Sequence, residues 1–228
     1  MPSSRRVAPV ALASLAAGAA ALYLLGRMYG STAAERRARL PGDDVVDRPQ
    51  IVATHAATLP AAPERIWPWL VQVGWHRGGW YTPRWVDVLL FPDNWPSASR
   101  IHSEFQDLEA GDVVPDGPPE TMCGFTVREV ERADHLVLES TTHLPLSWRQ
   151  RDLARLHWTW SFRLTPIDGG RATRLVFRWR ARTAPWWLTL GAHLFIVPAD
   201  FVMSRGMLRG LRERVAESSG SPWADRSP

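Results

Sequence analysis

Hydrophobic and polar residues alternate through much of the second half of the chain, as they do in strands with one buried face. The run 157–167 has aromatic or aliphatic residues at every second position, and the run 173–183 repeats the pattern with arginines such as Arg174 and Arg178 between them. Six runs of this kind predict six strands, at 51–59, 112–115, 124–131, 135–141, 157–167 and 173–183. Each run has one apolar face and one polar face, which predicts an antiparallel sheet with one side packed on the core and the other exposed to solvent.

Helical spacing replaces the alternation in three places. The first predicted helix runs from Pro63 to Gly74, with a kink at Pro68, and a glycine turn follows it. A second short helix is expected over 82–91, and a long one over 200–217. The residues expected to face inward from the second helix are Trp85, Val86, Leu89 and Leu90. The long helix carries a stripe made of Phe201, Ser204, Leu208, Leu211 and Val215, with Met203 and Met207 beside it.

Residues 7–26 form an uncharged, Ala-rich run that is long enough to cross a bilayer. Three interpretations of residues 1–30 stay open: a single-pass membrane anchor, which we favour, a signal peptide cleaved before secretion, or an inert tail. More arginines follow the run than precede it, which favours a domain on the cytoplasmic side. We expect a polar linker over 31–49, a globular domain over 50–217 and a disordered tail over 218–228.

A second apolar run, 185–197, is too short to span a bilayer. It contains no arginine and opens with Trp186-Trp187, and paired indoles favour the boundary between headgroups and acyl chains. Two interpretations are open: the segment closes the core, or it touches a membrane.

Composition excludes several classes of function. The 27 basic residues are all arginine, the net charge is only +4, and no nucleic-acid motif is present, so we expect no nucleic-acid partner. The single cysteine, Cys123, rules out a disulfide framework, and the seven histidines show no metal-ligand spacing. No phosphate loop, dinucleotide fingerprint or nucleophile elbow occurs, so no cofactor is expected. The thirteen tryptophans therefore need a core, a pocket or a membrane interface.

Three stretches resemble the START-like SRPBCC superfamily, in particular its actinobacterial "polyketide cyclase/dehydrase and lipid transport" proteins. They are APERIWPWLVQVG with the following RGGWY, HSEFQDLEAGD, and ADFVMSRGMLRGLRERVAE. The resemblance covers roughly residues 40–217. It implies an α+β helix-grip fold, in which a curved antiparallel sheet wraps around the C-terminal helix and encloses an apolar cavity. The chain departs from the family at 81–87 and 103–106, near the expected rim of that cavity.

The resemblance implies that aromatic and methionine side chains line the cavity. The ligand-binding candidates are Trp80, Tyr81, Trp85, Phe105, Phe125, Trp158, Trp160, Phe177, Trp179, Met203 and Met207. Polar candidates at its mouth are Tyr81, Arg84, His102, Glu104 and Gln106. A desolvated Glu104, with His102 and Tyr81, is a candidate for acid–base work, and the alternative is that Glu104 and Gln106 only bind loop backbone.

Three functions remain open on the sequence alone. The first is binding, with or without transport, of a hydrophobic lipid-like or polyketide-like molecule in an apolar cavity at a membrane. The second is an enzyme of cyclase or dehydratase type that uses polar groups in the same cavity. The third is a structural or partner-binding domain with a filled core. The volume of the cavity separates the third from the others.

Overall fold

The computed structural model describes residues 4–90 and 92–219. Six strands form one antiparallel sheet in the order β1-β6-β5-β4-β3-β2, so the first strand pairs with the last. The strands are β1 (Ile51–Leu59), β2 (Val113–Pro115), β3 (Gly124–Glu131), β4 (His135–Ser140), β5 (Arg155–Ile167) and β6 (Ala172–Ala184). The helices are α1 (Ser4–Met28), α2 (Ala33–Arg37), α3 (Pro63–Val71), α4 (Arg84–Leu90), α5 (Leu146–Gln150), α6 (Trp186–Gly191) and α7 (Val197–Ser219). The predicted α+β helix-grip fold is confirmed.

The C-terminal helix α7 buries the predicted stripe against the inner face of the sheet. Leu208, Leu211 and Val215 are fully or almost fully buried, while Arg205 and Arg209 are exposed. Gly210 lets the helix approach the chain after α3, because a Cβ atom there would overlap the carbonyl oxygen of Tyr81. The helix ends at Ser219, so it includes the first two residues of the predicted tail, and residues 220–228 lie outside the described part.

The outer face of the sheet is not wet where Arg178 lies. Arg178 is buried and donates five hydrogen bonds, which use all the N–H groups of its guanidinium. The acceptors are the hydroxyl of Thr54, the carboxylate of Asp43, and three carbonyl oxygens in the segment 35–38. The segment 31–49, predicted to be a polar linker, thus lies against the sheet. The prediction of a solvated outer face is wrong here because single-strand periodicity cannot show what a distant segment covers.

The helix α4 corrects a second prediction. Val86 is buried, as expected, but Trp85 is 60 % exposed and Leu89 is 70 % exposed. The neighbour that is buried in their place is Asp87, whose carboxylate accepts hydrogen bonds from Thr82 and Ser97. The spacing of apolar residues predicted that Trp85 and Leu89 face the core. The hydrogen bonds of Asp87 instead hold the opposite face of the helix inward. The side chain of Leu90 lies outside the described part.

The second apolar run is helical and continues into α7. α6 passes through a π-helical turn, Ala192–Ile196, into α7 without a break. The stretch Trp186–Ser218 is long and apolar enough to cross a membrane by length and composition alone. Most of its N-terminal part is exposed, while its C-terminal part is the helix that the sheet grips.

The N-terminal helix α1 packs against this same helix. Tyr23 hydrogen-bonds His193 at 2.9 Å, and the ring of Tyr29 meets the edge of Phe201. Between them a Cβ atom on Gly26 would overlap the carbonyl oxygen of Val197. The three contacts advance in the same direction along both helices, so α1 and α7 run parallel. In α1 the described side chains before Tyr23, from Ser14 onward, are exposed.

Candidate functional site

The structure brings most of the predicted aromatic residues together between the sheet and α7. Trp160 lies at the centre of the cluster, with ring centroids 5.1 Å from Trp80, 4.9 Å from Phe125 and 5.2 Å from Phe177. Trp158 extends the cluster toward Trp179, at 6.3 Å. These rings come from β3, β5, β6 and the turn after α3, so the alternation of the strands places them on one face.

A small space remains between this cluster and α7. Its volume is ≈ 10 Å³, which is room for about one water molecule and far below the several hundred Å³ of a small-molecule site. The lining residues are Trp80, Thr82, Trp160, Phe177, Asp200, Met203, Ser204 and Met207. In this conformation the interior is therefore filled rather than open, as the third of the three functions expects, and Met203 and Met207 line the small space that remains.

Polar groups of α7 border this space. The carboxylate of Asp200 accepts hydrogen bonds from the indole of Trp179 at 2.8 Å and from the hydroxyl of Ser204 at 2.9 Å. It also lies 2.7 Å from Nε2 of His55, which is fully buried on β1. Asp200 thereby ties the start of the gripping helix to both paired strands, and sequence spacing gave no sign of this link.

Three buried nitrogens near the space have no hydrogen-bond partner among the described residues. They are Nε1 of Trp160, Nε1 of Trp158 and Nδ1 of His55. A buried donor without an acceptor costs about 1–3 kcal/mol. Trp160 also lines the space, and its N–H is a buried donor without an acceptor among the described residues.

The remaining ligand-binding candidates lie elsewhere. Trp85 lines a surface groove beside Phe201 and Val202 of α7. Phe105 lies in the short turn Ser103–Phe105, where the guanidinium of Arg77 covers its ring at 4.7 Å. Tyr81 is buried, but its hydroxyl donates to the carbonyl of Trp69 at 2.7 Å and accepts from Gln72 at 3.0 Å. Burial raises the pKa of Tyr81 well above its usual value.

The predicted mouth residues do not converge. Glu104 is exposed and lies 3.2 Å from His102, and a hydrogen bond from its own backbone amide is the main reason that its pKa is lowered. Gln106 donates to the carbonyl oxygens of Pro68 and His102. Arg84 is exposed at the start of α4. These contacts match the backbone-binding alternative for Glu104 and Gln106, and the pKa of Glu104 is lowered because its hydrogen bonds outweigh the effect of desolvation.

A pair that the sequence did not indicate lies at the base of an open pocket of ≈ 580 Å³. Nε2 of His143 is 2.8 Å from the carboxylate of Asp116, and Nδ1 is 2.7 Å from the hydroxyl of Ser140. The indole of Trp80 donates to the other oxygen of Asp116 at 2.7 Å. Both members of the pair are thus fixed in orientation, and they separate the pocket from the aromatic cluster.

The walls of this pocket are mainly apolar. They include Trp75, Pro118, Leu144, Pro145 and Leu146. Cys123 is also there, and burial, followed by the charge of Asp116, raises the pKa of its thiol to about 11, so it stays protonated at neutral pH. Asp116 follows β2 and His143 follows β4, and the pairing of both strands with β3 brings the two residues together. No local spacing could have revealed the pair.

The fold and the aromatic interior define an α+β protein of the helix-grip type. No family model and no curated protein matches the chain. Solved structures that resemble it include norcoclaurine synthase from Thalictrum flavum, at 11 % identity over 75 % of this chain and 96 % of that one, with a TM-score of 0.43. A hypothetical protein from Helicobacter pylori matches at 11 % identity over 79 % and 95 %, with a TM-score of 0.45. A Mesorhizobium loti protein matches at 14 % identity over 74 % and 98 %, with a TM-score of 0.38. Likenesses of this extent assign neither a family nor a function.

Proposed function

We propose that this protein binds an apolar small molecule carrying a hydrogen-bond acceptor, in the interior between the sheet and α7. The observation that supports this most directly is that Trp160 lines the closed space beside Met203 and Met207 and carries an N–H without a hydrogen-bond partner among the described residues. A ketone, ester or carboxyl oxygen would satisfy that donor, and the surrounding rings would bury an apolar chain. Lipid-like and polyketide-like molecules have this chemistry.

Binding requires the interior to open. The long, unbranched side chains of Met203 and Met207 can change rotamer at small expense. Thr82 borders both the interior space and the outer groove that contains Trp85, so the start of α4 separates the two. A shift of α4, which exposes most of its apolar side chains already, would connect them.

We also propose that α1 holds the domain at a membrane, with the domain on the cytoplasmic side. The described side chains before Tyr23 are exposed on a helix of 25 residues. Such a helix is about 37 Å long, enough to cross a hydrocarbon core of about 30 Å. A membrane location would supply a ligand that is poorly soluble in water.

The test compares two probes of equal length, a long-chain methyl ketone and its parent alkane, by quenching of tryptophan fluorescence. Trp160→Phe keeps a ring but removes the donor, so it should weaken ketone binding about two- to tenfold and leave alkane binding unchanged. Trp148→Phe, on α5, is the matched control and should change neither. If the ketone binds no better than the alkane to the wild-type protein, the acceptor class is wrong, and if neither binds, the interior is a filled core.

A second candidate is an acid–base enzyme of dehydratase type, favoured by the Asp116–His143 pair. A β-hydroxy ketone in the pocket of ≈ 580 Å³ could lose water by proton transfers at this pair, giving an enone that absorbs in the ultraviolet. Enone formation that is lost in Asp116→Asn would support it. Absence of turnover across such substrates would leave the binding function alone.

A further inference from the structure

The helix that begins at Trp186 carries a continuous exposed apolar surface. Trp186 and Phe195 are 74 % and 71 % exposed, values that are rare for such side chains in a water-soluble domain. The other members of this surface, which we call the α6 surface, are Trp187, Leu190, Leu194 and Ile196. No charged residue occurs between Pro185 and Ala199.

This surface cannot be part of a membrane-spanning helix. From Asp200 onward the helix is fixed to the domain, by the contact of Asp200 with His55 and by the burial of Leu208 and Leu211. The preceding stretch, 186–199, is about 21 Å long, whereas the hydrocarbon core is about 30 Å thick. It can therefore enter one leaflet but cannot cross.

A cationic pocket adjoins the α6 surface. Arg149, Arg155 and Arg182 line a pocket of ≈ 610 Å³ at the end of the sheet. Asp152 is paired with Arg155, whereas Arg149 donates to backbone carbonyl oxygens. Arg182 has a carboxylate, that of Asp47, only at 4.0 Å. Two of the three positive charges are thus left without a close counter-ion among the described residues.

The pocket and the α6 surface are physically connected. Thr183 lines the pocket, and its hydroxyl oxygen lies 2.8 Å from the hydroxyl oxygen of Thr189 on α6. On the other side the rings of Trp148 and Trp187 meet edge to face at 5.3 Å. An apolar surface with indoles, bordered by arginines, matches an acyl-chain region bordered by anionic headgroups.

We propose that the α6 surface docks on an anionic lipid bilayer, with a lipid phosphate taken up by the arginine-lined pocket. This rests on the proposed location at a membrane but not on the ligand in the interior. Because α1 packs on the same helix, at Tyr23 and Gly26, both elements reach the bilayer together. The interior and its groove at α4 would then be held close to the lipid that supplies the ligand.

The experiment uses the full chain in Cys123→Ser form, reconstituted in vesicles and labelled with an environment-sensitive fluorophore at one new cysteine. Phe195→Cys reports on the α6 surface, Leu15→Cys on α1, and Ile167→Cys, at the far hairpin, is the exposed control. In vesicles that contain anionic phosphatidylglycerol, the label at Phe195 should shift to the blue and be quenched by spin-labelled acyl chains. In pure phosphatidylcholine the shift should be smaller, and the label at Ile167 should report water in both.

A second experiment tests whether docking depends on the positive charge of the pocket. Arg182→Glu should remove most of the additional blue shift that phosphatidylglycerol gives over phosphatidylcholine, whereas Arg132→Glu, an equal charge change on the β3–β4 hairpin, should not. Inorganic phosphate that abolishes docking at millimolar concentration would assign the pocket to free phosphate and overturn the lipid assignment. A label at Leu15 in lipid with a label at Phe195 in water would overturn the docking of α6 and leave the anchor intact. Both labels in water would overturn the anchor as well, while ketone binding, measured separately, would still test the interior.

Discussion

Gly210 of α7 lies directly against the carbonyl oxygen of Tyr81, and no side chain fits between them. This contact sets how closely the gripping helix approaches the turn that carries Trp80 and Tyr81. Four residues earlier Gly206 makes a similar approach to Pro83, where an added Cβ would lie 2.6 Å from the ring. The two glycines form a notch on α7 for the segment that leads into α4.

Gly210→Ala should therefore lower the free energy of unfolding by about 1–3 kcal/mol, because the helix and the turn must separate to admit a methyl group. Gly191→Ala is the matched control. A Cβ there meets nothing within 4 Å, and alanine should stabilise the helix by up to about 1 kcal/mol. Urea unfolding of the two variants should give shifts of opposite sign. Equal shifts would contradict the notch.

The burial of Leu211 predicts a second difference along the same helix. Leu211→Ala should destabilise the protein by about 2–5 kcal/mol, because it leaves a cavity against the sheet. Arg209→Ala removes an exposed side chain that pairs with the exposed Glu213, and it should change stability by less than about 0.5 kcal/mol. Thermal melts that shift alike in both variants would mean that α7 presents a different face.

Arg178 should be among the residues most sensitive to substitution. Arg178→Ala removes five hydrogen bonds and leaves the carboxylate of Asp43 with the weaker contact of Arg180, so we expect a loss of about 3–5 kcal/mol. Arg178→Lys keeps the charge but cannot supply the planar set of donors, and it should lose most of the same stability. Arg171→Ala, an exposed arginine at the β5–β6 turn, is the control. A lysine variant as stable as the wild type would show that charge alone matters.

Glu35 should make the free energy of unfolding depend on pH in the acidic range. Its hydrogen bond with Arg174 lowers its pKa from 4.5 to about 2, and the same carboxylate caps α2 through the amide of Thr32. Because the folded-state pKa lies below the unfolded one, this contribution is complete above pH 4.5 and is lost as the pH falls through 2. The Glu35→Gln variant should thus be less stable than the wild type by up to about 1 kcal/mol at pH 6, with no difference near pH 2.

Unfolding curves at several pH values check this. Asp44→Asn, which removes an exposed carboxylate 4.0 Å from Arg39, should show no such trend. A Glu35→Gln deficit that stays constant down to pH 2 would place its origin in packing rather than in charge.

The helices and strands could be predicted from the sequence more completely than the segments that pack over them. Period-two alternation depends on the strand alone, so all six strands and the buried stripe of α7 were predictable. Arg178 looked solvated because the segment that buries it lies some 140 residues away in the chain. Trp85 looked buried because spacing cannot show that Asp87 has the better partners inside.

The candidate site divides in the same way. Trp160 and Phe177 could be grouped because strand alternation puts them on one face, but the volume left beside them depends on rotamers that no pattern encodes. Asp116 and His143 are ordinary loop residues until the sheet aligns their loops. Their relationship is tertiary, and so it becomes visible only in three dimensions.

The attachment of α1 has a mechanical consequence. The carbonyl oxygen of Tyr29, just after α1, accepts a hydrogen bond from the amide of Ala56 on β1, and Glu35 and Asp43 fasten the following segment to β6. The segment between the first helix and the sheet is thus held in place by hydrogen bonds and ion pairs, and it does not act as a flexible linker. If α1 crosses a bilayer, as proposed above, its direction sets the orientation of the whole domain. One residue inserted at the end of α1 would turn the preceding part of the helix by about 100° relative to the sheet. A small change in length would thus give a large change in the orientation of the domain.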